Sequence, residues 1–365
     1  MTTIAYFISS HGYGHAARAC AVMEALIDRL PNLHFLIFTQ VPEWFFNDSL
    51  PAGSFDYIKQ FTDVGFVQKS PFQEDVKATL DFLNKTLPFD EAFITKSAQK
   101  ITRHRCPLVL CDISPVGILS AQKAGLPVVL IENFTWDWMY ARYAEFSESF
   151  TRHADYLKEI YHTVDMRFQT QPFTHAVKTG IQVPPVSRKP KHTAQEIRLS
   201  LEIPDEAPTV LISTGGVPTR HAFTERLKER DDIYFIIPHD VPSAVRSGNV
   251  RMLAHHSNFF HPDLVNASDA VVCKAGYSTV AEAYHLNKSL GLVVRPNFPE
   301  SPIIEHFVKA HFQHLILEPT VFQKGDWIDA LDVLLTEGNR RKTKRRPNGA
   351  LTVAAEILER FEHLF

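Results

Sequence analysis

Two histidines and two glycines lie close together near the N-terminus, in the stretch HGYGH at residues 11–15. Histidine titrates near neutral pH, so it is well suited to take a proton from a hydroxyl group. His15 is therefore a candidate general base, with an anion-binding or helix-capping histidine as the alternative. Asp112 ends the apolar run PLVLCD. It is the candidate that orients the imidazole of His15, unless it caps the helix that follows.

A second group of glycines and polar residues lies in KAGYSTVAE, residues 274–282. Backbone amides at the start of a helix, together with the hydroxyls of Ser278 and Thr279, can bind phosphate oxygens. Glu282 lies one turn further on, where a carboxylate can accept hydrogen bonds from both ribose hydroxyls. The alternative is that Glu282 is an acidic residue that stabilises the helix N-terminus.

Both groups lie in the same local pattern, a buried strand followed by a glycine-rich turn and a helix. Apolar or small residues recur at helical spacing through residues 16–30, which places Arg18, Glu24, Asp28 and Arg29 on the opposite face. Such a turn exposes helix amides and the positive end of the helix dipole, which together form an anion site. Glycines that merely permit a sharp turn are the alternative explanation.

Strand-like and helix-like segments alternate through both halves of the chain, which predicts parallel sheets with crossover helices. We expect an α/β protein of two doubly wound Rossmann-like domains that face a cleft. The predicted parts are a first domain at 1–183, a Pro-rich linker at 184–196, a second domain at 197–346 and a C-terminal helix at 347–365 that packs on the first domain. The predicted strands are TIAYFIS, HFLIFTQ, FDYIKQF, PLVLCDIS, PVVLIENF, PTVLISTGG, IYFIIPHD, VRMLAHHS, DAVVCKAG and LGLVVRPN.

Composition excludes several classes of protein. The 365 residues are 45% hydrophobic and carry a net charge of −3, which gives no electrostatic argument for nucleic acid as the main partner. The four scattered cysteines predict reduced thiols without a disulfide framework or a zinc site. No signal peptide or spanning run of about 18 apolar residues occurs, so we expect a cytoplasmic protein. Trp44, Phe45 and Phe46 and the basic run at 340–346 raise the hypothesis of a weak peripheral membrane contact.

Several segments resemble glycosyltransferases. The spacing Lys274-x-Gly276-x-x-Thr279-x-x-Glu282 resembles the donor-nucleotide motif of MurG-like glycosyltransferases. The stretch HGYGHAAR resembles the N-terminal glycine-rich loop and histidine of those enzymes and of UDP-glycosyltransferases. PTVLISTGG resembles the first strand and loop of their donor domain, and NFFHPDLVNASDAVV resembles the segment whose backbone holds the base.

The resemblance implies the GT-B fold and a set of site residues. The implied catalytic pair is His15 and Asp112, and the implied N-terminal loop residues are His11, Gly12 and Gly14. The implied donor-binding residues are Gly215, Gly216, Phe260, Lys274, Gly276, Ser278, Thr279, Glu282 and Glu300. One departure concerns the donor sugar, because Glu300 is followed by Ser301 where family members often carry glutamine. Arg295 and Asn297 lie on the same loop and are candidate substitutes.

The implied function is transfer of a sugar from a nucleotide-diphosphate sugar, most simply a UDP-sugar, to a hydroxyl acceptor that is a small molecule, a glycan or a lipid-linked compound. No Asp-x-Asp sequence occurs in the chain, which favours a metal-independent reaction that uses no cofactor. A single base without a carboxylate nucleophile favours inversion at the anomeric carbon. Two alternatives remain, a non-hydrolysing nucleotide-sugar epimerase and a nucleotide-sugar binding protein without catalysis.

Overall fold

The chain divides into two compact units. The computed structural model describes residues 2–70, 72–215, 221–241, 243–254, 257–336 and 346–365. Unit 1 comprises residues 1–69, 74–187 and 348–365, and unit 2 comprises residues 70–73 and 188–347. The main crossing between units, from Ser187 to Arg188, lies inside the segment 184–196 that the sequence predicts as a linker.

The strands of the described residues form two seven-stranded sheets and one short two-stranded ribbon. In chain order they are β1 (Thr2–Ile8), β2 (Leu33–Thr39), β3 (Phe55–Lys59), β4 (Gln68–Ser70), β5 (Gln73–Glu74), β6 (Val109–Asp112), β7 (Val128–Glu132), β8 (Met166–Thr170), β9 (Ile181–Val183), β10 (Thr209–Ser213), β11 (Tyr234–Val241), β12 (Val245–Ser247), β13 (Val250–Ala254), β14 (Ala270–Lys274), β15 (Ser289–Val293) and β16 (His314–Leu317).

Helices follow most of the strands, as crossover connections require. They are α1 (Tyr13–Arg29), α2 (Glu43–Ser49), α3 (Val76–Thr86), α4 (Glu91–Arg103), α5 (Pro115–Ala124), α6 (Trp136–Ala141), α7 (Glu148–Tyr161), α8 (Ala194–Ser200), α9 (Thr224–Leu227), α10 (His261–Ala267), α11 (Tyr277–His285), α12 (Ser301–His311), α13 (Pro319–Lys324), α14 (Asp332–Leu335) and α15 (Gly349–Arg360), with 3₁₀ turns at Ile328–Ala330 and Glu362–Leu364.

Unit 1 is a doubly wound parallel sheet with the strand order β3-β2-β1-β6-β7-β8-β9. The order runs outward from β1 to β3 and then returns to β6, so the winding reverses between β1 and β6. In this pair of neighbours Ile8 is in register with Asp112. Ligands of doubly wound sheets bind beyond the carboxyl ends of the strands at such a reversal.

Unit 2 repeats this arrangement. Its order is β12-β13-β11-β10-β14-β15-β16, in which only the edge strand β12 is antiparallel to its neighbour. The winding reverses between β10 and β14, where Ser213 is in register with Cys273. Each glycine-rich turn singled out in the sequence therefore leaves a strand at the reversal of its own sheet.

The sequence predicts most central strands correctly because they are apolar on both faces. Every residue of β2 (LHFLIFT) is buried, which is typical of parallel strands that are covered by helices on both sides. The prediction omits β8, β9 and β16, and also β12 and the short ribbon. Strand β8 reads MRFQT, and its buried Arg167 and Gln169 interrupt the apolar pattern.

The C-terminal helix α15 belongs to unit 1, where it packs against α1. Its buried face carries Val353, Ala354 and Ile357. The helix starts very close to the backbone of Pro184, which lies shortly before the crossing from Ser187 to Arg188. A Cβ atom at Gly349 would lie 2.1 Å from the carbonyl oxygen of Pro184. A glycine is required there, since the obstacle is backbone that cannot rotate away.

Candidate functional site

The first candidate site is built around His15 and Asp112 in unit 1. His15 lies in the first turn of α1, and Asp112 is the last residue of the neighbouring strand β6. Nδ1 of His15 lies 2.7 Å from Oδ1 of Asp112, and both side chains are buried. Because an ionised carboxylate only accepts hydrogen bonds, Nδ1 carries the proton in this pair and the lone pair on Nε2 can serve as a base.

Asp112 is not a helix cap. The N-cap of α5 is Ser114, whose hydroxyl accepts a hydrogen bond from the amide of Gly117 at 3.1 Å. The cap alternative for Asp112 is therefore wrong. The residue between them, Ile113, has a φ of 46°, an uncommon value for a β-branched residue. Such backbone strain is often found beside functional side chains.

Arg18 is a member of this site that the sequence analysis placed on the wrong face of α1. It is buried, and its guanidinium binds both oxygens of Asp112, with Nε 2.7 Å from Oδ2 and Nη2 2.8 Å from Oδ1. Nη1 donates to the amide oxygen of Asn133 and lies 3.4 Å from the hydroxyl of Thr170. His15 and Arg18 are three residues apart, a spacing that puts two side chains on the same helix face.

The charges around Asp112 determine its ionisation. Burial alone would raise the pKa of Asp112, but the Arg18 guanidinium and the hydrogen bond from His15 hold this pKa below its ordinary value. A second carboxyl group, that of Asp63, lies nearby and accepts a hydrogen bond from Nε1 of Trp136 at 3.1 Å. Burial raises the pKa of Asp63 to about 6. Asp112 is thus ionised at neutral pH, whereas the carboxyl group of Asp63 titrates near neutral pH.

The N-terminal loop residues His11, Gly12 and Gly14 shape the entry into α1. Gly12 is the N-cap, and its φ of 82° favours glycine. Gly14 lies within the first turn of the helix. His11 accepts a hydrogen bond from the amide of Phe66 at 3.3 Å, and its ring meets the edge of Trp136 at 5.3 Å between centroids. His11 thus contacts the loop that follows β3.

A third carboxyl group of unit 1, that of Glu132, lies at the end of β7. Its Oε1 accepts a hydrogen bond from Gln169 at 3.2 Å and lies 3.7 Å from Nη1 of Arg167. Its Oε2 has no hydrogen-bond partner among the described residues. Burial raises the pKa of Glu132 to about 7, although Arg167 acts in the opposite direction.

The second candidate site lies in unit 2, at the ends of β10 and β14. Gly276 is the N-cap of α11, so the first amides of this helix, including those of Ser278 and Thr279, have no partner within the helix. A Cβ atom at Gly276 would meet only the carbonyl oxygen of Lys274, at 3.7 Å. Gly215 follows β10 with a φ of 88°. Gly216, the other predicted residue of this turn, lies outside the described residues.

Two cations that interact with each other lie at the ends of neighbouring strands, since Lys274 is the last residue of β14 and Arg295 follows β15. Burial, together with the neighbouring charge of Arg295, lowers the pKa of Lys274 to about 8, although Glu300 acts in the opposite direction. Arg295 stacks on Phe298 at 3.3 Å from the ring centroid and donates to Glu300 at 3.3 Å. Glu300 is thus paired with Arg295, one of the two residues proposed from sequence to substitute for the glutamine that is missing at position 301. The set carries two positive groups and one negative group, which suits an anionic ligand.

Glu282 is enclosed by protein groups. Its Oε1 accepts a hydrogen bond from Arg188 at 3.1 Å, its Oε2 lies 2.7 Å from Nδ1 of His261, and the side chain is buried. Nε2 of His261 lies in turn 3.1 Å from the hydroxyl of Ser213 at the end of β10. Arg188 also lies over the ring of Phe260, 4.7 Å from its centroid.

Ser213, His261 and Arg188 are not among the site residues that the sequence motifs predict. For Ser213 a signal was present, because it directly precedes the glycines of the STGG turn. His261 and Arg188 are distant in sequence from Glu282, and no local spacing connects them to it. Arg188 belongs to the predicted linker, but it is buried, with its guanidinium against Glu282 and the ring of Phe260.

Two other hypotheses from the sequence concern membranes and metals. Phe45 and Phe46 are buried in the core of unit 1 and Trp44 is half-buried against it, so these rings do not form a membrane-facing patch. Residues 340–345 of the basic run lie outside the described residues. Within the described residues no helix has the length and apolar character needed to span a bilayer. Those same residues contain no group of three or more His, Cys, Asp and Glu side chains placed to hold a metal ion.

Two doubly wound units, each with a glycine-rich turn at its reversal point, define a GT-B glycosyltransferase fold. The chain belongs to glycosyl transferase family 1, whose family model matches residues 2–302. The fold and the family resemblance inferred from the sequence are therefore confirmed.

Two solved structures are similar to this chain in fold, and one curated protein is similar in sequence. A glycosyltransferase of Streptomyces sp. SF2575, SsfS6 in complex with thymidine diphosphate, is 14% identical with a TM-score of 0.61, covering 99% of this chain and 100% of that one. MurG of Acinetobacter baumannii is 15% identical with a TM-score of 0.54, covering 98% and 100%. L-arabinokinase of Arabidopsis thaliana is 25% identical over 309 residues, which are 84% of this chain. The chain spans only 29% of the length of that relative.

Proposed function

We propose that the protein transfers a sugar from a nucleotide-diphosphate sugar to a hydroxyl acceptor, with inversion at the anomeric carbon and without a metal ion. The observation that carries the proposal is the buried contact between Nδ1 of His15 and Oδ1 of Asp112 at 2.7 Å. It fixes one tautomer of the imidazole beside the reversal point of unit 1. A base held in this way is what deprotonation of a hydroxyl group requires.

The proposed reaction is a single displacement. Nε2 of His15 takes the acceptor proton as the acceptor oxygen forms its bond to the anomeric carbon. The bond from that carbon to the diphosphate oxygen breaks, and the electron pair leaves with the nucleoside diphosphate. Asp112 keeps Nδ1 protonated and stabilises the imidazolium that forms. One displacement on the face opposite the leaving group inverts the configuration.

Unit 2 supplies the proposed donor site. The amides and the hydroxyls of Ser278 and Thr279, in the first turn of α11, would bind the diphosphate oxygens. Lys274 and Arg295 would neutralise the charge that develops on the leaving diphosphate. This electrostatic stabilisation is the role that a divalent cation has in metal-dependent transferases. We propose a UDP-sugar as donor on the resemblance to UDP-glycosyltransferases, with a thymidine diphosphate sugar as the alternative that the similar SsfS6 complex suggests.

The predicted contact between Glu282 and ribose needs a rearrangement. Both carboxylate oxygens of Glu282 already have partners, Arg188 and His261. Because the side chain is also buried, ribose hydroxyls reach this carboxylate only if a neighbouring side chain moves aside. The proposal therefore relies on Gly276, Lys274 and the α11 amides for donor binding and does not require Glu282 to touch the nucleotide.

An epimerase remains the second candidate, and one observation favours it. Epimerisation of a nucleotide sugar uses additional acid and base groups, and the pKa of Asp63, at about 6, suits such a role. The two reactions differ in their products. An epimerase converts the donor to an isomer without an acceptor, whereas a transferase releases nucleoside diphosphate. Both products can be measured by chromatography in one incubation.

The test is single-turnover kinetics of His15→Ala with a panel of UDP-sugars and TDP-sugars and candidate hydroxyl acceptors, with donor hydrolysis as the baseline. We expect transfer to fall by about 10²–10⁴-fold, while affinity for the nucleoside diphosphate stays the same. His104→Ala is the matched control, because His104 is an exposed histidine at the end of α4 in the same unit. A folded His15→Ala protein whose rate stays within a few-fold of the parent would exclude His15 as the base.

A further inference from the structure

Arg18 is a buried cation that neither the family motif nor the proposed displacement assigns to a role. Its guanidinium group binds both carboxylate oxygens of Asp112, and Nη2 also lies 3.2 Å from Nδ1 of His15. The side chain is anchored at its far end by Asn133 and Thr170, which follow β7 and end β8. The positive charge is therefore held beside the His15–Asp112 pair by two further elements of the sheet.

We propose that Arg18 is a positioning residue which neutralises the charge of Asp112, so that at neutral pH the imidazole of His15 keeps one proton, on Nδ1, and a lone pair on Nε2 with which it can act as a base. The inference rests on the proposed function, since it explains how His15 is kept ready to accept a proton. In a pair without Arg18, the buried Asp112 carboxylate would favour the imidazolium form of His15. An imidazolium has no lone pair with which to deprotonate an acceptor.

Other charged and titratable groups around the pair do not replace Arg18. Asp63 lies in the loop after β3 and interacts with both members of the pair. It is negative when ionised, so it too favours the imidazolium. Tyr6 of β1 is buried, and burial raises the pKa of its phenol far above neutral pH, so it stays uncharged. Asn133 and Thr170 are neutral. Arg18 is thus the cation that these elements hold against the pair.

The test measures protonation of the pair directly and needs no acceptor. Histidine labelled with ¹³C is introduced into the full chain, and the His15 resonance is identified by its loss in His15→Gln. Its titration midpoint is compared between the parent, Arg18→Met, Arg18→Gln and Arg18→Lys. Arg29→Met serves as the control, since Arg29 is an exposed arginine at the end of the same helix.

We expect the midpoint to rise by about one pH unit or more in Arg18→Met and Arg18→Gln, because the charge that opposes the imidazolium has been removed. Arg18→Lys keeps the charge and should stay close to the parent, as should Arg29→Met. Arg18→Gln retains hydrogen-bonding groups for Asp112. If Arg18→Met does not fold, the midpoint of Arg18→Gln is compared with that of the parent instead. An unchanged or lower midpoint in a folded neutral variant would overturn the inference.

This outcome is separable from failure of the proposed function. If His15→Ala transfers sugar normally while the midpoint of Arg18→Gln rises, Arg18 controls the pair but the pair is not the catalytic base. If His15→Ala is inactive while the midpoint of Arg18→Gln stays unchanged, the base assignment stands and the role of Arg18 is wrong.

Discussion

Buried carboxyl groups link the stability of unit 1 to pH. Burial raises the pKa of Glu132 from 4.5 to about 7. The folded state therefore holds a proton that the unfolded state releases between these values, and the contribution of Glu132 to stability falls as the pH rises from 4.5 towards 7 and above. This contribution amounts to roughly 3 kcal/mol at most.

Glu132→Gln should abolish that dependence, because glutamine resembles the protonated acid and does not titrate. We expect the variant to be more stable than the parent at pH 8, by about 1–3 kcal/mol, and nearly equal to it at pH 5. Urea denaturation at both pH values measures the difference, and Glu159→Gln, an exposed position on α7, is the control. An identical difference at both pH values would mean that Glu132 stays ionised when folded.

Glycines with different surroundings should respond differently to alanine. At Gly276 an added methyl group meets only one atom, at 3.7 Å, so stability should change by no more than about 1 kcal/mol. The methyl group would, however, lie beside the α11 amides, so affinity for UDP should fall by about tenfold or more, as calorimetry can show.

Gly117→Ala is the contrasting variant. Its Cβ would lie 2.6 Å from Cβ of Phe7 in the core of unit 1. It should lower the free energy of unfolding by about 1–3 kcal/mol and leave the UDP affinity of the folded protein unchanged. If Gly276→Ala bound UDP normally, the proposal that the phosphates lie close to the turn at Gly276 would be wrong.

Single residues were predictable from sequence where a motif or a strand end marked them. His15 and Asp112 each lie at a recognisable turn, and the structure brings them together at 2.7 Å. Arg18 was missed because a charged residue on an amphipathic helix is usually solvated. Its burial depends on the carboxylate of Asp112, which lies 94 residues further along the chain. No pattern within α1 could reveal that partner.

At the scale of elements, α15 contributes to the core of unit 1 although it lies at the far end of the sequence. Ile357 is fully buried there, whereas Leu351 on the same helix is 40% exposed. We expect Ile357→Ala to lower the free energy of unfolding by about 2–5 kcal/mol, because it leaves a cavity against α1. Leu351→Ala should change it by about 0.5 kcal/mol or less.

Thermal and urea denaturation of the two variants would check this prediction. Equal losses for Ile357→Ala and Leu351→Ala would mean that α15 does not pack as described.

The missed strands show what periodicity fails to predict. Central strands such as β2 are apolar throughout, so a short run of sequence identifies them. In β8 the side chains of Arg167 and Gln169 are buried because they bind Glu132 on the neighbouring strand. In β16, HLIL, the run is too short to distinguish from a helix segment. Their assignment depends on pairing across the sheet, which local sequence does not contain.

At the scale of the whole molecule, both units share one winding order and carry their candidate residues at its reversal point. Because amides and cations of unit 2 are proposed to replace a metal ion, transfer should persist in excess EDTA at a rate within about twofold of the untreated enzyme. The assay is donor turnover after dialysis against chelator, followed by addition of Mg²⁺ or Mn²⁺. Loss of transfer that either ion restores would contradict the proposed electrostatic mechanism.

Placement of residues 348–365 in unit 1 has a consequence for synthesis on the ribosome. Domains generally fold as units, with the N-terminal one first as the chain emerges. Here the sheet of unit 1 is translated first, but the face of α1 that α15 covers stays open until residues 188–347 have been made. Unit 2 can finish folding while its predecessor is still incomplete. During that interval the apolar side chains on α1 are exposed and can bind chaperones. Unit 1 is translated first but completes its folding last.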